Sequence, residues 1–488
     1  MSTVVKQQKA KNKDISYYCN LIIVLLFMFG FGYLPPFGEL TQLGMHTLGI
    51  FIGMLWGWSA IGFIWPSLLG LIAVGLTGFM SIQAAFAAGF SDSSTMMVFF
   101  MFVFTDYMNR TGVCRSIACW FISRKIAVGR PWIFVFMLLI SSYIIGGSTS
   151  PLASTLIGWS VFYEVCEVLG FKKYEKFPVL MIVGIVYAGI LGGTVVPFRP
   201  IAAVVLNGVN GVTGTVCDPL IFALVGLVVS MVNLVAFVLM CKYIFKPDVK
   251  GLASNEDSFA HYRENKMTRE EKVAGIALIL VLLANFLPSI LPASWGITVF
   301  LSKFTMTSIF AAVLMILDAV KIKGQGFADI AAAFHTGVQW PTILMLVSSV
   351  PLAAMMKSEE SGVNALFVQI IMQLLDGAGP FMIGVIFLTF VCILTQFAHN
   401  LILAIVLSPI LANVALTMGF DPYPIAILLS FICNCGFATP GASVCGAVLF
   451  GNKEWLPTIT GYKYCFLLVV ITLIIVCLLG IPFVNLLF

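Results

Sequence analysis

Residues 146–151 read Gly-Gly-Ser-Thr-Ser-Pro and lie in the middle of an uncharged, largely apolar run that extends from residue 131 to residue 163. Two glycines and a proline interrupt a helix here, because glycine loses much conformational freedom in a helix and proline lacks the amide proton. Each half of the run has about 15 residues and rises about 22 Å, which is less than the roughly 30 Å of a bilayer core. The run therefore predicts a re-entrant helical hairpin with a polar tip inside a membrane.

The composition of the whole chain supports this location. Of the 488 residues, 60% are hydrophobic and 10% are charged, and the mean hydropathy is +1.05. Soluble domains carry roughly 25% charged residues, so lipid must be the solvent for most of this surface. A cytosolic enzyme, a secreted disulfide scaffold and a disordered chain are excluded. Long apolar runs also exclude an outer-membrane barrel and leave an all-α membrane protein.

The apolar runs between charges predict eleven transmembrane helices. A second long run, 380–418, is also too short for two full spans and predicts a second re-entrant hairpin. The eleven spans lie near residues 17–34, 44–61, 64–80, 95–109, 178–206, 219–241, 273–290, 300–318, 338–355, 423–450 and 464–487.

Lysine and arginine positions predict the orientation of the spans. With this topology, 23 of the 26 Lys and Arg residues fall on one side, which the positive-inside rule assigns to the cytoplasm. The first hairpin then enters from the inside and the second from the outside. We expect a multi-pass protein of the cell membrane with a cytoplasmic N-terminus, an uncleaved first span and an external C-terminus. The remaining cations are Arg199, Lys303 and Lys357.

Short sequence patterns recur about half a chain apart, in the same order around the two hairpins. The strings are AFAAGF (85–90), TGV (111–113) and GTVVP (193–197) in the first half, and AAAF (331–334), SGV (361–363) and GFATP (436–440) in the second. Two inverted repeats, each with a re-entrant hairpin and an unwound helix, are therefore predicted, as in secondary transporters. The predicted division is an N-terminal span (1–40), a first repeat (41–245), a cytoplasmic linker (246–272), and a second repeat with the C-terminal span (273–488).

Four Gly- or Pro-rich breaks fall at the two hairpin tips and within two of the spans. They cover residues 146–151, 192–200, 396–401 and 434–443. Each break exposes helix N-termini, whose N–H groups and dipole suit an anion. The freed carbonyls and hydroxyls suit a hard cation such as Na⁺.

Two side chains at these breaks carry specific hypotheses. Arg199 is the single charge between Phe177 and Val216. Its guanidinium could contact an anion in a cavity, or it could extend to the outer surface. His399, at the second tip, could titrate near neutral pH and carry protons, or it could be a neutral hydrogen-bonding residue.

Sequence patterns for other functions are absent. A net charge of +5 without a basic patch gives no reason to expect a nucleic-acid partner. The four histidines are isolated, and no HExxH, P-loop or GxSxG string occurs, so we expect neither an enzyme nor a cofactor. The 12 scattered cysteines are typical of small packing residues.

These motifs resemble the divalent-anion/sodium symporters, the solute carrier 13 family of dicarboxylate, citrate and sulfate transporters. In that family each hairpin tip carries Ser-Asn-Thr, and the broken spans carry Gly-Gly-Thr or Ala-Thr-Pro strings. Here the tips read Ser148-Thr149-Ser150 and His399-Asn400-Leu401, and the breaks keep Gly192-Gly193-Thr194 and Ala438-Thr439-Pro440. The resemblance covers nearly the whole chain, while the binding motifs depart from the family pattern at three of four places.

The resemblance implies an anion site and Na⁺ sites at these positions. The implied substrate-binding residues are Ser148, Thr149, Ser150, Thr194, Arg199, His399, Asn400, Thr439, Pro440 and Gly441. The implied Na⁺ ligands are Ser148, Ser150, Gly193, Asn400 and Ala438. Because Leu401 removes a threonine hydroxyl, an elongated, aromatic or singly charged organic anion is an alternative to a dicarboxylate.

The sequence thus predicts a secondary active transporter of a small carboxylate-type anion, with Na⁺ symport, an elevator motion and a homodimer implied by the resemblance. An H⁺-coupled or uncoupled anion exchanger stays open as an alternative. A cation/proton antiporter of the same wider superfamily also stays open, although such antiporters normally carry an acidic residue at the unwound centre and none is visible here. A membrane enzyme would need a polar catalytic cluster, and a receptor would usually have a large soluble domain. The expected partners are the anion, Na⁺ or H⁺, the lipid bilayer and a second copy of the chain.

Overall fold

The computed structural model describes residues 15–254, 267–292, 294–322, 325–327, 329–374 and 379–488, and these residues are mostly helical. The first helices are α1 (Ile15–Tyr33), α2 (Gln42–Ala60), α3 (Ile64–Leu76), α4 (Ile82–Ser91), α5 (Ser93–Thr111), α6 (Val113–Ile122), α7 (Pro131–Ser148), α8 (Pro151–Leu169), α9 (Lys176–Gly193), α10 (Pro200–Thr213), α11 (Pro219–Phe245) and α12 (Lys250–Ser254). The lysines at 6–13 and the central part of the predicted linker, 255–266, lie outside the described residues.

The second half of the chain continues in the same way. Its helices are α13 (Arg269–Ile290), α14 (Gly296–Leu301), α15 (Met306–Ala319), α16 (Ile330–Thr336), α17 (Trp340–Lys357), α18 (Val363–Leu374), α19 (Pro380–Leu394), α20 (Asn400–Thr417), α21 (Tyr423–Asn434), α22 (Val444–Gly451) and α23 (Thr458–Asn485). A two-residue antiparallel pair, β1 (Lys321–Ile322) and β2 (Gln325–Gly326), lies between α15 and α16.

Among the described residues, nine helices are long and apolar enough to cross a bilayer, or ten when the bent pair α4 and α5 counts as one span. The prediction of an all-α membrane protein is confirmed, and the count of eleven spans stays a prediction. Two predicted spans, 178–206 and 423–450, are each divided into two helices. Non-helical segments separate α9 from α10 and α21 from α22, as the Gly/Pro patterns predict.

The first hairpin consists of α7 and α8, which pack against each other on either side of the tip. Pro131 and Pro151 each occupy the first helical position, where a missing N–H costs nothing, and Ser150 caps α8. The predicted boundary at 163 is wrong, because α8 continues to Leu169 and ends at Gly170, whose φ is 72°. Charged residues follow position 163, but Val165 and Cys166 keep a buried face.

Both arms of this hairpin therefore exceed the predicted length of about 15 residues. They have 18 and 19 residues, which corresponds to about 27 Å and 28 Å. The second hairpin, α19 and α20, matches the predicted range 380–418 closely. Re-entry of either hairpin from one side of the bilayer stays a prediction.

The two halves contain the same order of elements. In the first half, the bent pair α4 and α5 is followed by α6, a hairpin and a broken span. In the second half, α16 and α17 are followed by α18, a hairpin and a broken span. The turns after α5 and before α18 are made by Gly112 and Gly362, which have φ values of 76° and 68°. Glycine is favoured in this left-handed conformation because it has no Cβ. The TGV and SGV strings thus mark equivalent turns.

The halves also interlock through their broken spans. Helix α10 packs along α20 of the second hairpin, and the short α22 packs against α8 and α9. Ser408 lies directly against Gly208 in the α10–α20 contact. Each of these residues is eight positions beyond the first residue of its helix, or about 12 Å at 1.5 Å per residue. The starts of α10 and α20 are therefore about equally far from this contact.

Helix α9 is the centre of the core, since every residue from Phe177 to Gly193 is buried. It contacts α7 so closely that backbone meets backbone: a Cβ on Gly146 would overlap the carbonyl of Gly189, and a Cβ on Gly192 would overlap the carbonyl of Tyr143. The glycines therefore set the distance between the first hairpin and the first broken span.

We predict that Gly192→Ala separates α7 from α9 and lowers the thermal unfolding midpoint in detergent. Overpacking of this kind costs about 1–3 kcal/mol. Gly275→Ala is the matched control, because Gly275 lies within α13 and an added Cβ there meets only Val113, at 4.0 Å. An unchanged midpoint for Gly192→Ala would contradict the close helix contact.

Candidate functional site

Arg199 connects the first broken span to the tip of the first hairpin. The side chain directly precedes α10 and is buried, with 5% of its surface exposed. Its Nη2 donates to the carbonyl oxygens of Gly146 at 2.7 Å and Gly147 at 2.8 Å, and its Nη1 donates to the carbonyl of Thr149. These carbonyls end α7 and lack helical partners, so the guanidinium caps the negative end of that helix.

The surrounding elements fix the position of Arg199. Thr194 ends α9 and donates from its Oγ1 to the Leu191 carbonyl at 2.7 Å. Gly226 of α11 packs against the backbone of Thr194 and Val195. Phe198 packs edge-to-face on Phe310 of α15, with ring centres 5.3 Å apart. The arginine thus lies inside the fold and does not extend to the surface.

The hydroxyl groups at the first tip have different hydrogen-bonding roles. Ser148 and Thr149 donate to the Ile144 and Ile145 carbonyls at 2.6 and 2.9 Å, so their protons are committed within α7. Ser150 instead accepts the N–H of Ala153 at 3.0 Å. A hydroxyl that accepts retains its own proton for another acceptor. Ser150 is therefore the hydroxyl at this tip with the chemistry to donate to an anion.

The second tip is joined to its broken span by Gln396, which the sequence analysis did not select. Its Oε1 accepts the N–H groups of Phe437 at 3.3 Å and Ala438 at 3.1 Å, and its Nε2 donates to the Cys435 carbonyl at 3.3 Å. The backbone carbonyl of Gln396 accepts the hydroxyl of Thr439. The side chain is 2% exposed. The sequence signal that could have identified Gln396 was a polar residue beside a predicted tip, in an otherwise apolar run.

His399 and Asn400 lie at the start of α20. The His399 ring packs edge-to-face on Phe63, with centres 5.1 Å apart, and its Nδ1 is buried without a hydrogen-bond partner among the described residues. Asn400 accepts the N–H of Leu401 at 3.0 Å, and its own N–H donates to the Ala442 carbonyl at 3.3 Å. The His399 ring therefore has a nitrogen without a hydrogen-bond partner among the described residues, at the tip of the second hairpin.

The structure groups the sequence-selected residues by repeat. Arg199 joins Thr149, and Gly193 lies beside Pro151. Thr439 and Ala438 join Gln396, whereas Pro440 and Gly441 are exposed. Within the described ranges, the hydrogen bonds connect each tip to its own broken span, and none connects the first tip to the second.

A cavity of about 360 Å³ lies between α5, α10, α17 and α20, and sequence reasoning did not find it. One wall carries Asp92, whose Oδ1 accepts the N–H groups of Ser94 and Thr95 at 3.0 and 2.9 Å. Its Oδ2 accepts the Asn207 amide at 2.8 Å. Lys357 donates to the Gly211 carbonyl at the same cavity. The available signal was an aspartate placed between the apolar helices α4 and α5.

Comparisons with known proteins agree with this architecture. An uncharacterized transporter of Haemophilus influenzae is 24% identical over 92% of this chain and 93% of its own length. The sodium-dependent dicarboxylate transporter SdcS of Staphylococcus saprophyticus is 26% identical over 58% of this chain and 54% of its own length. The predicted resemblance to divalent-anion/sodium symporters is confirmed.

Solved structures support the fold. The YdaH transporter of Alcanivorax borkumensis, 11% identical, aligns with a TM-score of 0.60 over 87% of this chain and 97% of its own. MtrF of Neisseria gonorrhoeae, also 11% identical, aligns with a TM-score of 0.56 over 95% and 94%. The relatives are transporters, which confirms the expectation of a non-enzyme. A sequence profile of the citrate transporter family matches residues 51–429, and the chain belongs to that family.

Proposed function

We propose that this protein is a secondary transporter of small di- or tricarboxylate anions in the cell membrane, coupled to Na⁺. One observation carries the proposal: each hairpin tip is hydrogen-bonded to a broken span, through Arg199 in one half and Gln396 in the other. The half-helices α10 and α20 begin at the buried residues Arg199 and Asn400, and α8 begins at the half-buried Ser150 and Pro151.

The anion site is proposed at these helix starts. Free N–H groups and the positive end of the helix dipole favour a carboxylate. The Ser150 hydroxyl and the incompletely capped start of α20 at Asn400 supply further donors. The name of SdcS, a sodium-dependent dicarboxylate transporter, supports the carboxylate class and Na⁺ as the coupling ion.

Na⁺ is proposed to bind at the second tip. The segment Cys435–Ala442 carries backbone carbonyls, and the group that fills its centre is the neutral carboxamide of Gln396. Hard cations prefer oxygen ligands, which carbonyls and the Thr439 hydroxyl provide. A neutral amide does not repel Na⁺. Asn400 and Ala438 are thus the implied Na⁺ ligands that this arrangement favours.

An elevator motion is proposed on the basis of the cavity that contains Asp92. Helices α10 and α20 belong to the broken span and hairpin, whereas α5 and α17 each precede the hairpin of their own half and belong to neither. The cavity thus separates two sets of helices that could slide past each other. We assign the hairpins and broken spans to the moving part, and the helices that include α5 and α17 to the part that forms the homodimer.

A proton-coupled exchanger is the second candidate, and His399 favours it. Its buried Nδ1 has no partner among the described residues and lies at the proposed site. Uptake that is driven by a pH gradient in the absence of Na⁺, and that is lost in His399→Gln, would favour this alternative.

The proposed function is tested by uptake of labelled succinate and citrate into proteoliposomes. An inward Na⁺ gradient should raise the initial rate at least several-fold over an equal K⁺ gradient, and empty liposomes serve as the control. If no anion moves under Na⁺, K⁺ or pH gradients while Na⁺/H⁺ exchange does occur, the protein is an antiporter and the proposal fails.

We predict that Gln396→Leu lowers the thermal midpoint and abolishes uptake. The N–H groups of Phe437 and Ala438 and the carbonyl of Cys435 would each lose a partner. A buried unpaired group costs about 1–3 kcal/mol. Gln369→Leu is the control, since Gln369 is exposed on α18. If Gln396→Leu has the stability and uptake of wild type, the amide is not needed to stabilise the segment between α21 and α22.

A further inference from the structure

We propose that the Arg199 guanidinium permanently occupies the cation site of the first hairpin tip, so that this tip binds no Na⁺ and coupling depends on Na⁺ at the second tip alone. The consequence for coupling rests on the proposed function. The claim about the site rests on contacts within the first half of the chain.

The carbonyl groups at the first tip are the reason for this assignment. The freed carbonyls of Gly146, Gly147 and Thr149 converge, as the ligands of a hard cation would, and all three accept hydrogen bonds from Arg199. A Na⁺ ion among them would need the same lone pairs and would lie next to a fixed positive charge. Ser148, Ser150 and Gly193 therefore do not form a Na⁺ site in this arrangement.

The positive charge of Arg199 is not neutralised by a carboxylate among the described residues. Salt bridges in the described part of the chain involve Arg110, Arg115 and Lys173, and none involves Arg199. A buried cation normally has a partner or faces a cavity. Arg199 lines a small cavity with Thr105 and Ser148, and its Nε is buried without a partner among the described residues. Arg199 thus keeps a positive charge without a counter-charge among the described residues, next to the first tip.

The second tip shows the contrast. The residue that connects this tip to its broken span is Gln396, which forms the same kind of backbone contacts without a charge. The breaks of the two halves are thus satisfied by different side chains, Arg199 in the first half and Gln396 in the second. One break holds the permanent positive charge of Arg199, and the other holds the neutral amide of Gln396.

The test is the number of ²²Na⁺ ions bound per chain in detergent, measured by scintillation proximity. Arg199→Ala removes the guanidinium and opens the first site, so it should bind one more Na⁺ than wild type. Arg199→Lys keeps a positive charge and should bind the wild-type number. Lys303→Ala removes an exposed cation as the charge control and should also bind the wild-type number.

The outcomes separate this inference from the proposed function. A gain of one Na⁺ in Arg199→Ala supports the inference even if no anion is transported, and equal numbers in Arg199→Ala and wild type overturn it. If Arg199→Ala does not fold, wild type and Arg199→Lys decide: one Na⁺ per chain supports the inference and two overturn it. Anion uptake without any Na⁺ dependence would contradict Na⁺ coupling alone, because the first site would still be filled.

Discussion

Polar backbone inside a bilayer must find its hydrogen bonds within the protein, and this constraint determines how the chain can interrupt its helices. The end of α7 leaves carbonyl groups without helical partners, and the buried guanidinium of Arg199 supplies the missing donors. In the second half, the Gln396 amide donates to the Cys435 carbonyl and accepts the Phe437 N–H in the non-helical segment between α21 and α22. One long polar side chain thus satisfies the irregular backbone in each half: Arg199 at the first tip and Gln396 in the second broken span.

Local sequence was sufficient to predict the positions of the breaks. Pro151 and Pro200 occupy the first positions of α8 and α10, so the first hairpin and the first broken span could be located from proline, although α7 continues through Gly146 and Gly147. The end of α8 was missed, because charged residues mark the end of an apolar run but an amphipathic helix continues through them. Charge positions thus locate spans better than they locate helix ends.

The candidate site was harder to predict, since it depends on contacts between distant segments. The sequence marks Arg199 as an unusual charge, but its partners lie about 50 residues earlier, on α7. Gln396 lies in the predicted break 396–401, but the local sequence does not show that its side chain reaches the backbone of residues 435–438. The cavity beside Asp92 requires four helices from both halves of the chain, and no single stretch of sequence encodes it.

In the proposed account, the difference between Arg199 and Gln396 would let a single residue change the ion coupling of the scaffold. The measurement that tests this account most directly is a cryo-electron microscopy structure of the full chain in NaCl with a dicarboxylate, at a resolution that locates ions. The account predicts continuous density from Arg199 to the carbonyls of Gly146 and Gly147, with no separate ion there. An ion peak coordinated by those carbonyls, with the guanidinium displaced, would contradict it.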